Sequence, residues 1–491
     1  MTQIDEVSSE SAATENDLFI QSPPRGGLAG WIGPLAATVL GAILRLPHLG
    51  SPHALVFDET YYAKDALSLL KFGYERQTIE GADAKLLSGN LDIFKPSAEY
   101  VVHPPLGKWI IAFGEHLFGA NPFGWRIMVA MLGIASILIT ARVARRLTHS
   151  NVVGTTAGML LALDGLHIAM SRTALLDTPL SFFVISAFAC LIIDRDHMAQ
   201  RGSDDKSIRW PRIAMAILLG CAVATKWSGL YFAGAFVALM LYWDWQARHK
   251  SNDERATTRW IVRDLLRALF VPIAMLAIYL ASWIGWFRTD GGWNREWASK
   301  SHLPQALAAL LHYHHDMYEF HTHLTTPHNY KANPLGWPLM LRPTSFFYET
   351  APTCGGTSCS QEVIPLGNPL IWWGGVLALL FMITLIVRRR HPAALPIVVG
   401  FLAGWTPWLL YIHRTTFTFY SVVFIPYTVI ACALALHILT HRRVNDDSWN
   451  WQTIVVLAVV ALLTAFFYPV LVGQSLTYHM WELRMWLPSW I

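Results

Sequence analysis

Charge is scarce in this chain. Asp, Glu, Lys and Arg make up 14% of 491 residues, while hydrophobic residues make up 54%. Soluble domains carry about 25% charged residues, so a set of ordinary soluble domains is excluded. A Gly-rich phosphate loop opening a helix is missing, which argues against a nucleotide site of that kind. No fixed-period repeat is present. Basic residues occur only in short clusters between apolar blocks, the pattern of membrane topology, and this argues against a nucleic-acid partner. The first 24 residues hold Asp5, Glu6, Glu10, Glu15 and Asp17 but no Lys or Arg. A secretory signal needs a basic start and a small-residue cleavage site. Residues 1–27 therefore read as a disordered cytoplasmic N-terminus, and the apolar block that follows as a retained span.

What is present is a series of apolar blocks. Eleven are candidate spans: 28–46, 124–147, 152–168, 174–193, 212–225, 227–243, 265–287, 370–387, 394–412, 419–440 and 453–473. The pair around Lys226 also reads as one long bent helix. Clusters such as Arg142/Arg145/Arg146, Arg255/Arg259/Arg263, Arg388/Arg389/Arg390 and Arg442/Arg443 fall on one side. The short loops on the other side carry one base each: Arg172, Lys226 and Arg414. The excess of Lys/Arg marks the cytoplasmic side. It places the N-terminus inside and two long loops, 48–123 and 288–369, outside. The expectation is an all-α polytopic membrane protein: a transmembrane domain over 28–473 and an outer tail over 474–491. Both outer loops contain Trp/Tyr-rich amphipathic stretches suited to the headgroup region.

Cysteine is also sparse, at five residues. Cys190, Cys221 and Cys432 fall inside spans and read as packing residues. Cys354 and Cys359 form C-G-G-T-S-C in the second outer loop, where an oxidising compartment favours a disulfide. Zinc is the alternative, but no second Cys/His pair adjoins them.

Several residues carry potential chemistry. Asp58 and Glu59 follow the first span. Asp58 reads either as the N-cap of a helix from Glu59 to Leu70 or as a carboxylate general base, and one residue can be both. His103 in His103-Pro104-Pro105 reads as a proton shuttle or, more simply, a turn former before a helix Leu106–Phe118. Lys108 reads as snorkelling to the interface. Ionisable groups near membrane depth are costly, and so functional candidates: Arg126, Asp164, Arg172, Asp177, Lys226 and Arg414. The bland reading, anchoring, fits Arg126 best. Bases converging on the outer face suggest a phosphate clamp. Six histidines between 312 and 328 invite a metal, but only His312/His315 share a helix face, and interfacial polar tips explain them better. No metal is assigned, no cofactor is required, and the need for a divalent ion is left open.

Taken together, the motifs resemble the protein O-mannosyltransferases, membrane glycosyltransferases of the GT-C class. The matching stretches are FDETYYAKDA (57–66), HPPLGKW (103–109), GWRIMVAMLG (124–133), SRTALLDTPLSFF (171–183) and TKWSGLY (225–231). MYEFHTHL (317–324), NPLGWPLMLRP (333–343), LGNPLIWWGG (366–375) and the Arg414 region follow in order. The short second outer loop is similar to the bacterial, actinobacterial-type branch. The resemblance implies a GT-C fold and an enzyme of the cell membrane. It implies transfer of mannose from a polyprenyl-phosphate-mannose donor to Ser/Thr hydroxyls of exported proteins. It makes Asp58 the candidate base, with Glu59 beside it, and gives Arg126 functional weight. Arg126, Lys226 and Arg414 are then expected on the donor phosphate, with His103, Arg172 and Asp177 in support. One departure stands out: the family's second loop acid before His-Pro-Pro is replaced here by Val101-Val102, and Glu99 is an unreliable substitute. The rivals are a GT-C enzyme with a lipid or polysaccharide acceptor and a lipid transporter. A transporter would show paired halves and broken midplane helices.

Overall fold

The computed structural model describes residues 27–201, 207–249, 257–298, 304–354, 357–441 and 447–491. The expected N-terminal disorder over 1–27, apart from residue 27, and the basic residues Lys206, Lys250, Arg255, Arg442 and Arg443 lie outside them. Each expected apolar block contains an α-helix, although 152–168 and 265–287 are each broken in two, and 394–412 ends and 419–440 begins in a tighter turn. The series runs Ala29–Arg45, Pro122–Thr148, Asn151–Leu163 with Gly165–Ser171, Asp177–Arg201, Trp210–Thr225 and Gly229–His249. It continues through Thr257–Ser282, Pro369–Val387, Ala394–Trp405, Ile425–Thr440 and Trp451–Val472. Among the described residues five helices have the length and apolarity to cross a membrane, or six if one bent pair is a single span; four further apolar helices are shorter.

Local chemistry sets the helix starts. Asn121, Asn368 and Asn450 each accept a bond from a backbone N–H of the first turn. The first two are followed by proline at the opening position, where its missing N–H costs nothing. Around Lys226 the chain forms two helices, because Lys226 adopts extended backbone between them.

Helices Asn151–Leu163 and Gly165–Ser171 meet at a 63° bend. Asp164 sits at the break. Its carboxylate accepts from His167 N (2.9 Å), Trp372 Nε1 (2.8 Å) and Asn368 N (3.3 Å). A Cβ at Gly165 would approach Leu366 O to 2.2 Å, so only glycine fits there. Arg45 donates to Leu161 O and Ala162 O, carbonyls freed by the break, and contacts His167 Nδ1 at 2.8 Å. Asp164 thus joins two helices.

The expectation for the two long loops needs a correction, since they contain strands as well as helices. Strands β1 (Arg76–Thr78) and β2 (Phe94–Ala98) pair antiparallel. In the second loop β3 (Phe347–Cys354) pairs with β4 (Thr357–Val363), which pairs with β5 (Ser475–Thr477). In register, Glu349 faces Gln361 and Ser360 faces Leu476. The expected tail over 474–491 thus supplies a strand to this sheet. Trp490 is buried and donates to Met340 O at 2.9 Å. The expected loop helices are present as Glu59–Phe72, Leu106–Phe118 and Gln305–His323.

Lys108 is corrected too. It is 1% exposed and bonded to Glu75, with Asp65 at 3.7 Å. Carboxylates hold it inside the first loop, so its amine has no reason to reach the headgroups.

Cys190, Cys221 and Cys432 are free, and Cys359 is disulfide-bonded. Cys354 is the expected partner; its side chain lies outside the described residues. Alkylating unreduced, denatured protein should label three cysteines. Labelling of all five would disprove the pairing.

A buried ion pair supports the first long loop. Arg126, 1% exposed, faces Glu59, 0% exposed. Removing one partner leaves the other charge buried and costs about 3–5 kcal/mol. Arg126→Ala should therefore lower the unfolding temperature markedly, and Arg126→Lys should recover only part because the forked contact is lost. An unchanged unfolding temperature for Arg126→Ala would refute this role.

Candidate active site

The turn Val56–Asp58 leads into helix Glu59–Phe72. Glu59 N donates to Val56 O, while Tyr61 N and Tyr62 N donate to Asp58 O. Asp58 occupies the N-cap position, but its side chain makes no capping bond. The capping half of the sequence reading is corrected: the backbone closes the turn and the carboxylate is left over. Among the described residues no hydrogen bond or ion pair engages it. It is half-buried. Burial pushes its pKa up to about 7; the Lys226 charge opposes that rise and the Asp177 charge adds to it.

Glu59 has the opposite fate. One oxygen accepts from Arg126 Nε (2.8 Å) and Ala174 N (2.9 Å). The other accepts from Arg126 Nη2 (2.7 Å) and Val56 N (2.9 Å). Arg126 uses its remaining donors on Leu49 O, Pro52 O and Ala54 O. Neither residue keeps capacity for a substrate. The expectations of Glu59 as a catalytic group and of Arg126 on a donor phosphate are both corrected. Arg172 turns three of its donors to backbone, bonding Arg45 O, Pro47 O and His48 O at 2.5–2.9 Å. It secures the end of the first helix.

The structure does bring Lys226, Arg414 and His103 together. They line one cavity of about 220 Å³ with His321, Trp227, Tyr231, Tyr318, Trp408, Tyr411 and Tyr420. Lys226 Nζ contacts both Asp177 oxygens, at 2.9 and 3.0 Å, and lies 4.3 Å from the Tyr420 ring centre. Asp177 is thus a fixed counter-charge behind the lysine. Arg414 lies 5.6 Å from the Trp408 ring centre, and its Nε is buried with no partner among the described residues.

His321 links the cavity to the His-Pro-Pro turn. Its Nε2 lies 2.6 Å from Val102 O and so carries the proton. That leaves Nδ1 as an acceptor for Arg414 Nη2 at 3.4 Å. The ring stacks on His103 at 5.1 Å. Burial lowers the His321 pKa to about 4, against the Val102 bond and with help from Arg414 and Lys226. Burial also holds His103 well below its usual value. Both imidazoles are neutral at pH 7, and His103 Nδ1 is buried without a partner among the described residues. A neutral, donor-rich rim beside two cations suits an anion.

The other histidines disperse. His312 stacks on Trp297 at 3.9 Å, and His314 contacts Tyr279 Oη at 2.7 Å. Sequence reasoning passed over His321, Trp408 and Tyr420 as site residues. Only the stretch MYEFHTHL pointed to His321.

Two family models match the chain. One is "Dolichyl-phosphate-mannose-protein mannosyltransferase", over residues 35–282. The other describes the C-terminal four TMM region of protein-O-mannosyltransferase, over residues 306–490. A polyprenol-phosphate-mannose–protein mannosyltransferase of Mycolicibacterium smegmatis is 35% identical, over 94% of this chain and 93% of that protein. Its namesake in Corynebacterium glutamicum is 31% identical, over 89% and 88%. Among solved structures, the Saccharomyces cerevisiae protein O-mannosyltransferase Pmt1-Pmt2 complex bound to the sugar donor matches with TM-score 0.74 at 15% identity, covering 98% of this chain and 94% of that one. ArnT from Cupriavidus metallidurans bound to undecaprenyl phosphate matches with TM-score 0.52 at 18% identity, over 88% and 64%. These structures share the fold of GT-C enzymes, and the sequence matches decide the family: this multi-pass membrane protein belongs to the protein O-mannosyltransferases.

Proposed function

We propose that this enzyme transfers mannose from polyprenyl-phosphate-mannose to Ser or Thr hydroxyls of exported proteins. The chain crosses the plasma membrane eleven times, with its N-terminus in the cytoplasm and the cavity on the outer side. The observation that carries the reading is the pairing of an unengaged, half-buried Asp58 with a cavity holding Lys226 and Arg414. The names of the relatives supply the donor and the protein acceptor; the residues supply the chemistry.

The acceptor hydroxyl gives its proton to Asp58 as its oxygen attacks the anomeric carbon. The bond from that carbon to the phosphate oxygen breaks, and the electron pair leaves with the lipid phosphate. Charge therefore grows on phosphate oxygens in the transition state, where fixed cations stabilise it most. Arg414 has a free donor for this task, and Lys226 lends its charge while held by Asp177. A single displacement inverts configuration at the sugar carbon, through an oxocarbenium-like state. The aromatic walls give the sugar ring apolar faces to rest on.

Purified protein given labelled polyprenyl-phosphate-mannose and a Ser/Thr-rich peptide should label the peptide. Label appearing only in lipid would overturn the choice of acceptor. Asp58→Asn should insert and fold but lose roughly 10²–10⁴-fold in turnover, the usual contribution of a positioned base. A base works only when deprotonated, so wild-type turnover should rise with pH through about 7 and fall below it. A flat profile between pH 5 and 8 with chemistry rate-limiting would remove Asp58 from this role.

A charge-assisted bond to phosphate contributes roughly 1.5–3 kcal/mol. Arg414→Ala should therefore raise the donor KM by about one to two decades. Equal donor KM values for Arg414→Ala and the wild type would exclude the contact.

A further inference from the structure

Phe57, directly before Asp58, has φ 53°. That left-handed conformation is rare for a residue with a Cβ and rarer for a bulky one. Glycine suits such a backbone best, yet the chain places phenylalanine there. Conformations of this kind persist where the surroundings over-determine them.

The surroundings of Phe57 are four aromatic rings. Phe346 stacks on it at 4.7 Å with 13° between planes. Phe417, Phe419 and His328 meet it edge-on at 5.8, 5.5 and 6.2 Å. Phe346 and His328 belong to the second outer loop, whereas Phe417 and Phe419 lie just before helix Ile425–Thr440. Backbone bonds stitch these segments together: Thr415 N donates to Leu324 O (3.0 Å), and Ala332 N to Thr416 O (2.8 Å). The stitched segment begins beside Arg414 and ends at Tyr420. Tyr420 packs on Phe419 at 4.9 Å, and Lys226 lies over its ring. One aromatic cluster therefore touches the residue before the base and the residues that carry the cavity's cations.

We propose that Phe57 is a positioning residue, whose clasped ring holds the left-handed turn and fixes Asp58 relative to Arg414 and Lys226. Its role in turnover rests on the reading of Asp58 as the base. Loss of the ring frees the turn, lets water reach Asp58 and misaligns it, while the donor cavity stays intact. Edge-to-face and stacked aromatic contacts are geometrically specific, so an aliphatic substitute fills space without setting the angle.

The test uses full-length protein carrying Phe57→Gly, Phe57→Leu, Phe57→Tyr or Phe417→Leu. Phe57→Gly suits the backbone but has no ring. It should lose at least about tenfold in kcat with donor KM within about threefold, and the acidic limb of its pH–rate profile should move toward the ordinary carboxylate range. Phe57→Leu should behave in the same way, and Phe57→Tyr should restore kcat and the limb. Phe417→Leu should act in the same direction, which keeps the test informative if Phe57→Gly fails to fold. Wild-type kcat and pH profile in Phe57→Leu or Phe57→Gly would overturn the proposal, as would a rise in KM alone.

A second readout needs no activity. A carboxyl whose pKa is raised on folding is favourable below its unfolded value, and that contribution is lost as pH rises through the folded one. The unfolding temperature of Asp58→Asn should therefore gain on that of the wild type between pH 4 and 8. In the Phe57→Leu background the gain should shrink toward zero. An undiminished gain there would overturn the clasp. If wild-type protein transfers no mannose but the gain vanishes with Phe57, the clasp stands and the proposed reaction fails.

Discussion

The site depends on the ion pair between Arg126 and Glu59. Arg126 belongs to a long apolar helix, and Glu59 opens the first helix of the outer loop. The guanidinium also ties down three carbonyls of the segment that leads from the first helix to Glu59. Glu59 binds two backbone N–H groups as well, those of Val56 and Ala174. Asp58 adjoins Glu59, and Asp177 lies three residues beyond Ala174. One buried pair thus sets Asp58 and the lysine's counter-charge in the same frame. Two ions out of water stabilise a fold only when their remaining hydrogen-bonding capacity is satisfied, and here it is.

The buried polar groups fall into two sets. Arg45, Arg126, Arg172 and Asp164 spend their polar atoms on backbone groups and on other buried side chains, as buried polar groups generally do. They hold helix ends and the 63° break. Asp58, Arg414 and His103 keep unused capacity; Arg414 and His103 line one cavity with Lys226, whose charge reaches Asp58. Residue type does not separate the sets, since arginines and aspartates occur in both. What separates them is whether a carbonyl or N–H lies within reach.

Much of this fold was legible in the sequence, because an apolar block of span length has few alternatives to a helix. The Asn-Pro starts, the Leu106–Phe118 helix and the break at Lys226 follow from local rules. The β3–β4–β5 sheet did not, because its third strand is supplied by residues 475–477, over a hundred positions away. Asp58 was legible as an isolated acid beside a span. Arg126 and Arg414 looked alike as lone arginines at span ends, yet one is spent on Glu59 and three carbonyls while the other retains a free Nε. That difference is tertiary. The same holds for Lys108, whose partners Glu75 and Asp65 come from other turns of the loop, and for His321, whose ring orientation is set by Val102.

The third strand of the β3–β4–β5 sheet bears on the order of events during synthesis. β4 is made early in the last third of the chain, but β5 is among its final residues. Until those residues emerge, β4 has an unpaired edge, and Trp481 and Trp490 are missing from their seats against Glu362 and Met340. The segment that carries His328 and Phe346 therefore reaches its final form only after residues 475–490 are made. Residues 475–490 act as a latch on the β3–β4–β5 sheet, so a chain clipped before them would keep its apolar helices while lacking the finished sheet.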